Sequence, residues 1–294
     1  MATLLPVIDT HMHLWDQKHS ELIWNWLEKD AIHPVLGNID GIKSVAYVLD
    51  NLWAEARFSN IEGFVHVQAA IGSPNPVTET LWLTEMAKTG PVPMRIIGDC
   101  SLKSENAITE LEEHRQSPLF VGIRDFNAEH FFVRKEVNPI YEASLKYLTK
   151  HNLIFDLDCE WQNMPEALKL AQRHPELEIV LEHIGYPRKR DAAYFSSWKE
   201  GIEKLATAKN VNMKISGLPM TDPLCSKESL RPWAEASLEA FGPERCILGS
   251  NWPVDRLYIS YATVMEFMRE YIATLSQSEQ ALICNGNAKR LYQF

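Results

Sequence analysis

Apolar residues along this chain gather into short runs rich in β-branched and aromatic side chains. Between them lie longer stretches with helical spacing. That alternation predicts strands joined by helices, the βα repeat of a parallel sheet. Eight runs read as strands: Leu4–Thr10, Gly63–Ala70, Met94–Leu102, Phe120–Phe126, Asn152–Cys159, Ile179–Gly185, Asn210–Gly217 and Cys246–Pro253. A ninth, Ser44–Asp50, leads directly into the helical composition of Asn51–Phe58 and is read as the approach to that helix. Helical patterning is clear at Thr78–Lys88, Pro139–His151, Met164–Arg173, Ala193–Ala208, Arg231–Phe241 and Tyr261–Leu275. Pro139 and Pro165 fall near helix starts, where a missing N–H costs nothing. Ser276 and Glu279 form a capping box for a last helix, Ser278–Asn285, whose end is marked by Asn285-Gly286-Asn287.

Eight such units in 294 residues suit one α/β barrel. No repeat, linker or composition shift divides the chain, so residues 1–294 are read as a single domain. The stretch Asp16–Asp40 breaks the alternation. It holds Trp24, Trp26, His33 and Pro34 and follows the first strand, so in a barrel it would rise over the catalytic mouth. Its aromatic residues would then either wall a substrate pocket or pack among themselves.

Barrel chemistry sits at the carboxyl ends of the strands, and these ends are polar. Alternation along Val7 to Trp15 aims His11 and His13 into one space, where they could hold a divalent metal or polarise a carbonyl. The second strand offers His66 and Gln68, the fourth Arg124 and Asp125, the fifth Asp156 and Asp158. The sixth offers Glu182 and His183, of opposite parity, the seventh Lys214 and Ser216, and the eighth Ser250 and Asn251 with Asp255 a turn later. Gly122 shares a face with Arg124 and makes room for something close by, leaving Arg124 to grip a carboxylate or ring oxygen. Of the two aspartates on the fifth strand, Asp156 is expected inside and Asp158 at the wet rim.

Composition narrows the function. Hydrophobic content of 46% and charged content of 23% are ordinary for a globular protein. A net charge of −10, with Arg188-Lys189-Arg190 as the only short basic run, argues against nucleic acid. Five scattered cysteines suggest neither disulfides nor a CxxC site, which points to a reducing cytoplasm. No signal-like or membrane-spanning run occurs, so the expected partner is a small molecule. A dinucleotide enzyme and a serine hydrolase are disfavoured, because neither GxGxxG nor GxSxG follows a strand.

Six motifs in order, Ile8-Asp9-Thr10-His11-Met12-His13-Leu14-Trp15, Val121-Gly122-Ile123-Arg124, Phe155-Asp156-Leu157, Leu181-Glu182-His183-Ile184-Gly185-Tyr186-Pro187, Val211 to Leu218 and Leu248-Gly249-Ser250-Asn251-Trp252-Pro253-Val254, carry a family resemblance. The chain resembles the amidohydrolase superfamily, in the branch of sugar lactonases and the hydrolase of 2-pyrone-4,6-dicarboxylate. The resemblance implies a distorted (β/α)8 (TIM) barrel with His11, His13 and His183 lining the site, and Trp15 and Tyr186 among the residues that meet substrate. It implies either no cofactor or one divalent metal such as zinc on His11 and His13, with His183, Asp156 and water completing the ligands. No lysine at the fourth strand is available for carbamylation, which argues against a binuclear centre. The family usually carries Asp at the end of the eighth strand to take a proton from water, where this chain has Asn251. An amide is no general base near neutral pH.

The expected reaction is hydrolysis of a lactone from a sugar acid or from aromatic degradation. His11 and His13 polarise the carbonyl. His183 handles the water with Asn251 and Asp255 nearby, and Arg124, Asp156, Gln68, Trp15, Tyr186 and His33 bind substrate. A metal-dependent decarboxylase of the same barrel, or a catalytically silent barrel that binds a small acid, stand as alternatives.

Overall fold

The computed structural model describes residues 4–126, 138–222 and 224–294. Eight parallel strands pair in chain order: β1 (Val7–Met12), β2 (Ile61–Val67), β3 (Met94–Asp99), β4 (Phe120–Arg124), β5 (Ile154–Leu157), β6 (Ile179–Leu181), β7 (Val211–Ile215) and β8 (Cys246–Leu248). Each overlaps its predicted run. Between β8 and β1 the seam is closed by Thr10 Oγ1 donating to Leu248 O at 2.7 Å, by His13 N donating to Trp252 O at 2.7 Å, and by a bridge from Met12 to Trp252. The sheet is therefore a nearly closed barrel. Asp9 reinforces this seam from β1, accepting from Ser250 N at 2.8 Å, Ser250 Oγ at 2.6 Å and Tyr261 OH at 2.8 Å.

Helices lie outside: α1 (Leu49–Ala56), α2 (Val77–Ala87), α3 (Ala107–His114), α4 (Pro139–Lys150), α5 (Met164–Arg173), α6 (Ala192–Leu205), α7 (Lys227–Phe241) and α8 (Tyr261–Tyr271). The start of α4 follows from its residues. Pro139 fills the first position, and the Asn138 side chain accepts from Ile140 N and Tyr141 N. The run at 44–50 contributes a two-residue strand, Ala46–Tyr47, antiparallel to Trp15–Asp16, before α1 begins. Helix α3 was not expected from the pattern. Its buried face is only Ala107, Leu111 and His114, and a histidine does not register as apolar. Helix α7 starts four residues before the predicted Arg231, capped by Ser226, and carries Pro232 inside rather than at its beginning.

The C-terminus corrects another expectation. The capping box of Ser276 and Glu279 is present, but Asn285-Gly286-Asn287 does not end the helix. The chain passes through a π turn, Leu282–Gly286, into a further helix, Asn287–Tyr292. The two asparagines instead fasten it to the base of the barrel, Asn285 donating to Pro6 O at 2.8 Å and Asn287 to Cys246 O at 2.8 Å. Its Leu291 and Tyr292 join the barrel's inner apolar layer of Ile8, Val65, Val67, Ile97, Val121, Ile154, Val180 and Ile247. This packing seals the end opposite the site. Among the described residues no helix is long and apolar enough to cross a membrane, and none of the five cysteines is in a disulfide.

The room made by Gly122 is for backbone. A Cβ there would lie 2.5 Å from Ile154 O and 2.9 Å from Ile154 N on the neighbouring strand, atoms that cannot swing aside. Gly122→Ala is therefore expected to cost about 1–3 kcal/mol through overpacking, read as a lower midpoint in urea denaturation. An unchanged midpoint would mean that β4 and β5 separate without penalty.

Candidate active site

At the carboxyl end of the barrel a cleft of about 360 Å³ is lined by residues at or beyond the ends of seven strands and from the 16–40 excursion. Its floor is histidine. His11 Nε2 and His13 Nε2 are 3.1 Å apart, and the His11 and His183 rings lie 4.3 Å apart between centroids. All three are buried, and burial holds each ring below the ordinary histidine range. His11 is lowered further by the charges of His183 and Lys214, and His13 by Arg124. His183 is lowered to about 3, burial outweighing the favourable charge of Glu182. The rings are neutral at neutral pH.

Each ring has a fixed partner on its far side. His13 Nδ1 donates to Val67 O at 2.8 Å, because a carbonyl only accepts, so its Nε2 carries a lone pair. His183 Nδ1 bonds Ser216 Oγ at 2.8 Å. His11 Nδ1 lies 3.4 Å from Glu182 Oε1, a group that also only accepts. A proton on His11 Nδ1 leaves two Nε2 lone pairs facing each other. A proton on Nε2 instead turns a lone pair toward the carboxylate. A cation between the two Nε2 atoms resolves the conflict, and 3.1 Å is close to the separation of two imidazoles sharing one ion with bonds of about 2.0–2.1 Å. The donor set thus fits one divalent metal. Donor atoms of His11, Glu182 and His183 also lie within 4.8 Å of one another.

Beneath the histidines runs a buried ionic chain. Arg124 NH1 donates to Glu182 Oε2 at 3.0 Å and NH2 to Gln68 O at 2.6 Å. Lys214 Nζ donates to Asp156 Oδ2 at 2.5 Å and stands 3.6 Å from Glu182 Oε1. Burial would raise Glu182, but Arg124 and Lys214 more than offset it and hold the carboxyl down to about 2. Asp156 is pushed up by burial despite Lys214.

Strand parity alone would separate Glu182 from His183. The strand instead stops at Leu181, and His183, Ile184 and Tyr186 take left-handed backbone with φ of 48°, 52° and 50°. This turn brings His183 round to the same side as Glu182. Gly217 lies flush against it, where a Cβ would sit 2.6 Å from His183 Nδ1.

The structure brings His13, His183, Asn251, Arg124, Gln68, Tyr186 and His33 to the cleft wall. His11 lies just below the floor. Asp255 lies behind Asn251, fully buried, accepting from Asn251 Nδ2 at 2.8 Å, and burial raises its carboxyl well above the usual range. Asp156 and Trp15 do not reach the cleft. Lys214 occupies Asp156, and Asp158, expected only at the rim, lines the wall in its place. Trp15 donates to Ser44 O at 2.9 Å and backs Trp26, whose ring is 5.6 Å away. From the 16–40 excursion, Trp26, His33, Pro34 and Val35 form one wall. Glu182, Lys214 and Ser216 were visible as polar strand-end residues, but nothing in the sequence marked them as partners of the histidines.

Comparison with known proteins agrees with this architecture. The uncharacterized protein y4mH of Sinorhizobium fredii is 30% identical over 297 residues, covering 98% of this chain and 99% of that protein. The L-fucono-1,5-lactonase of Burkholderia ambifaria is 28% identical over 293 residues, covering 97% and 95%. The crystal structure of an amidohydrolase from Burkholderia multivorans with bound zinc superposes with a TM-score of 0.82 at 22% identity, covering 98% of this chain and 99% of that one. The sequence model of the amidohydrolase family matches residues 8–294. The histidine-floored barrel described above belongs to the amidohydrolase family.

Proposed function

We propose that the protein opens a lactone by hydrolysis. The observation that carries this reading is the convergence of three neutral imidazoles at one cleft, His13 and His183 on its floor and His11 just beneath, with His11 and His13 Nε2 3.1 Å apart. The lactonase name of the Burkholderia ambifaria relative supports it. The scissile carbonyl is placed above His11 and His13; His13 Nε2 carries a lone pair and cannot donate to it, so of the two rings only His11 Nε2 can be a proton donor there. Should the pair hold one divalent ion, with His183 or Glu182 beside it, that ion supplies Lewis-acid polarisation of the carbonyl oxygen.

His183, steadied by Ser216, takes a proton from the attacking water as the new C–O bond forms. It returns that proton to the ring oxygen as the C–O bond of the lactone breaks, which leaves a hydroxy acid. Asn251 directs its Oδ1 to the water because its Nδ2 is committed to Asp255. Asp255 acts through Asn251 and is buried off the cleft, where it does not reach the water, so the base role falls to His183. Trp26 and Tyr186 provide the apolar faces on which a lactone ring lies.

Asn251 in place of a carboxylate also favours a second reading, a silent barrel that binds a small acid without turnover. A panel of lactones assayed with and without chelator, with metal content read on the same sample, separates the two. Turnover with loss on chelation supports one bound ion, turnover insensitive to chelation supports imidazoles acting alone, and binding without turnover supports the silent barrel.

Two substitutions refine the roles. His183→Ala is expected to lower kcat by about 10²–10⁴-fold, the range of a positioned proton acceptor, with the circular dichroism spectrum unchanged. Undiminished turnover would remove His183 from the chemistry. Asn251→Asp is expected to raise kcat if the amide is a weakened base, and a fall would mark the amide as the fitted group.

A further inference from the structure

Gln68 is the polar side chain of the cleft wall left with nothing to do. It is 1% exposed, yet among the described residues neither its Oε1 nor its Nε2 has a hydrogen-bond partner. Its backbone is fully engaged, with N donating to Ile97 O at 2.8 Å and O accepting from Arg124 NH2 at 2.6 Å, so the residue is fixed while its amide is idle. Beside it, Arg124 has committed NH1 to Glu182 and NH2 to Gln68 O, and among the described residues its buried Nε likewise has no hydrogen-bond partner. Among the described residues the wall thus presents an idle acceptor at Gln68 Oε1 and idle donor atoms at Gln68 Nε2 and Arg124 Nε, on two residues joined by the Arg124 NH2 to Gln68 O bond. Flipping the amide exchanges its ends without satisfying either. Buried polar atoms of this kind are paired in almost every protein, and an unpaired set facing a cleft marks what the ligand must bring.

A carboxylate accepts only. It would satisfy Gln68 Nε2 and Arg124 Nε but leave Gln68 Oε1 buried against an anion. A bare hydrocarbon ring satisfies none of them. A hydroxyl both gives and accepts a proton, so a hydroxylated ring can donate to Oε1 from one hydroxyl while that hydroxyl or its neighbour accepts from Nε2 or from Arg124 Nε.

We propose that Gln68, with Arg124 Nε beside it, is a specificity residue that reads a ring hydroxyl, so that the site selects an uncharged hydroxylated lactone over an unsubstituted or carboxylated one. The inference rests on the lactonase reading for the reaction but not for the binding. It makes Gln68 costly to the empty protein and useful only when ligand is present.

The test compares wild type with Gln68→Met, which keeps the length of the side chain and removes its polar atoms. Three lactones of one ring size are used: hydroxylated, unsubstituted and carboxylated. Wild type is expected to favour the hydroxylated lactone in kcat/KM, and Gln68→Met to shrink that preference by about 10–100-fold, the scale of leaving a buried polar group unpaired. Its Tm should stay the same or rise, because an idle buried amide has gone. Gln68→Glu, which cannot donate from that position, should restore little of the preference. A wild type with no preference, a preference that survives in Gln68→Met, or a lowered Tm with all three lactones losing rate in parallel would each overturn the proposal.

Binding of the corresponding hydroxylated lactam, followed by Trp26 fluorescence, keeps the two readings apart. Lactam affinity lost in Gln68→Met, without lactone turnover by wild type, would support the role of Gln68 while removing the lactonase reading. Absence of both turnover and lactam binding in wild type would overturn the inference about Gln68.

Discussion

An ionised carboxylate in the dry interior of the barrel is the constraint around which this site is built. Glu182 is fully buried, and moving a lone carboxylate there from water would cost several kcal/mol even after relaxation. Two cations from different strands make it tolerable, Arg124 of β4 at 3.0 Å and Lys214 of β7 at 3.6 Å. The same carboxylate faces His11 of β1. One charge thus sets the relative positions of four strands at the height where the chemistry is expected, and removing any partner leaves an uncompensated ion rather than a simple gap.

The histidines inherit their order from this frame. Each ring has its far nitrogen assigned: His13 to a carbonyl, His183 to a hydroxyl, His11 toward Glu182. Such outer partners fix which nitrogen is free and how the ring is turned, which is how a site avoids reorganising during a reaction. They leave reactive nitrogens on one side, over a floor that burial keeps neutral. The cost appears as frustration between His11 and its two neighbours, and that frustration is what a cation there would relieve.

The strands were legible because barrel strands are apolar runs with abrupt polar ends, and those ends are where the chemistry gathers. His11 and His13 followed from a two-residue spacing on one strand. Arg124 and Gln68 followed from their places at strand ends. Other features were hidden for definite reasons. Parity puts Asp156 and Asp158 on one face, and the preference for Asp156 rested on depth, with Asp158 expected at the wet rim; depth does not reveal that Lys214, two strands away, would claim Asp156. Helix α3 hid because one of its three buried residues is His114, which packs by bonding Thr80 and Asp99 rather than by being apolar. The tail beyond Gly286 hid because Asn285 and Asn287 look like a stop signal in one dimension and serve as tethers in three.

His183 shows where local preference gives way to the site. A left-handed conformation is unfavourable for residues other than glycine and especially for a β-branched one, yet His183, Ile184 and Tyr186 all adopt it. At about 1 kcal/mol or more for each, such a run persists only when its surroundings over-determine it. Those surroundings are identifiable. Ile184 is fully buried and its carbonyl accepts from Trp198 Nε1 at 2.7 Å, which ties the turn to α6, while Gly217 clears the space beside the His183 ring. A straight strand would have turned His183 away from Glu182 and out of reach of His11. The strained turn is therefore the step that converts a barrel with two histidines into one with three at a single floor, and the packing of Trp198 on the outer face is what keeps it.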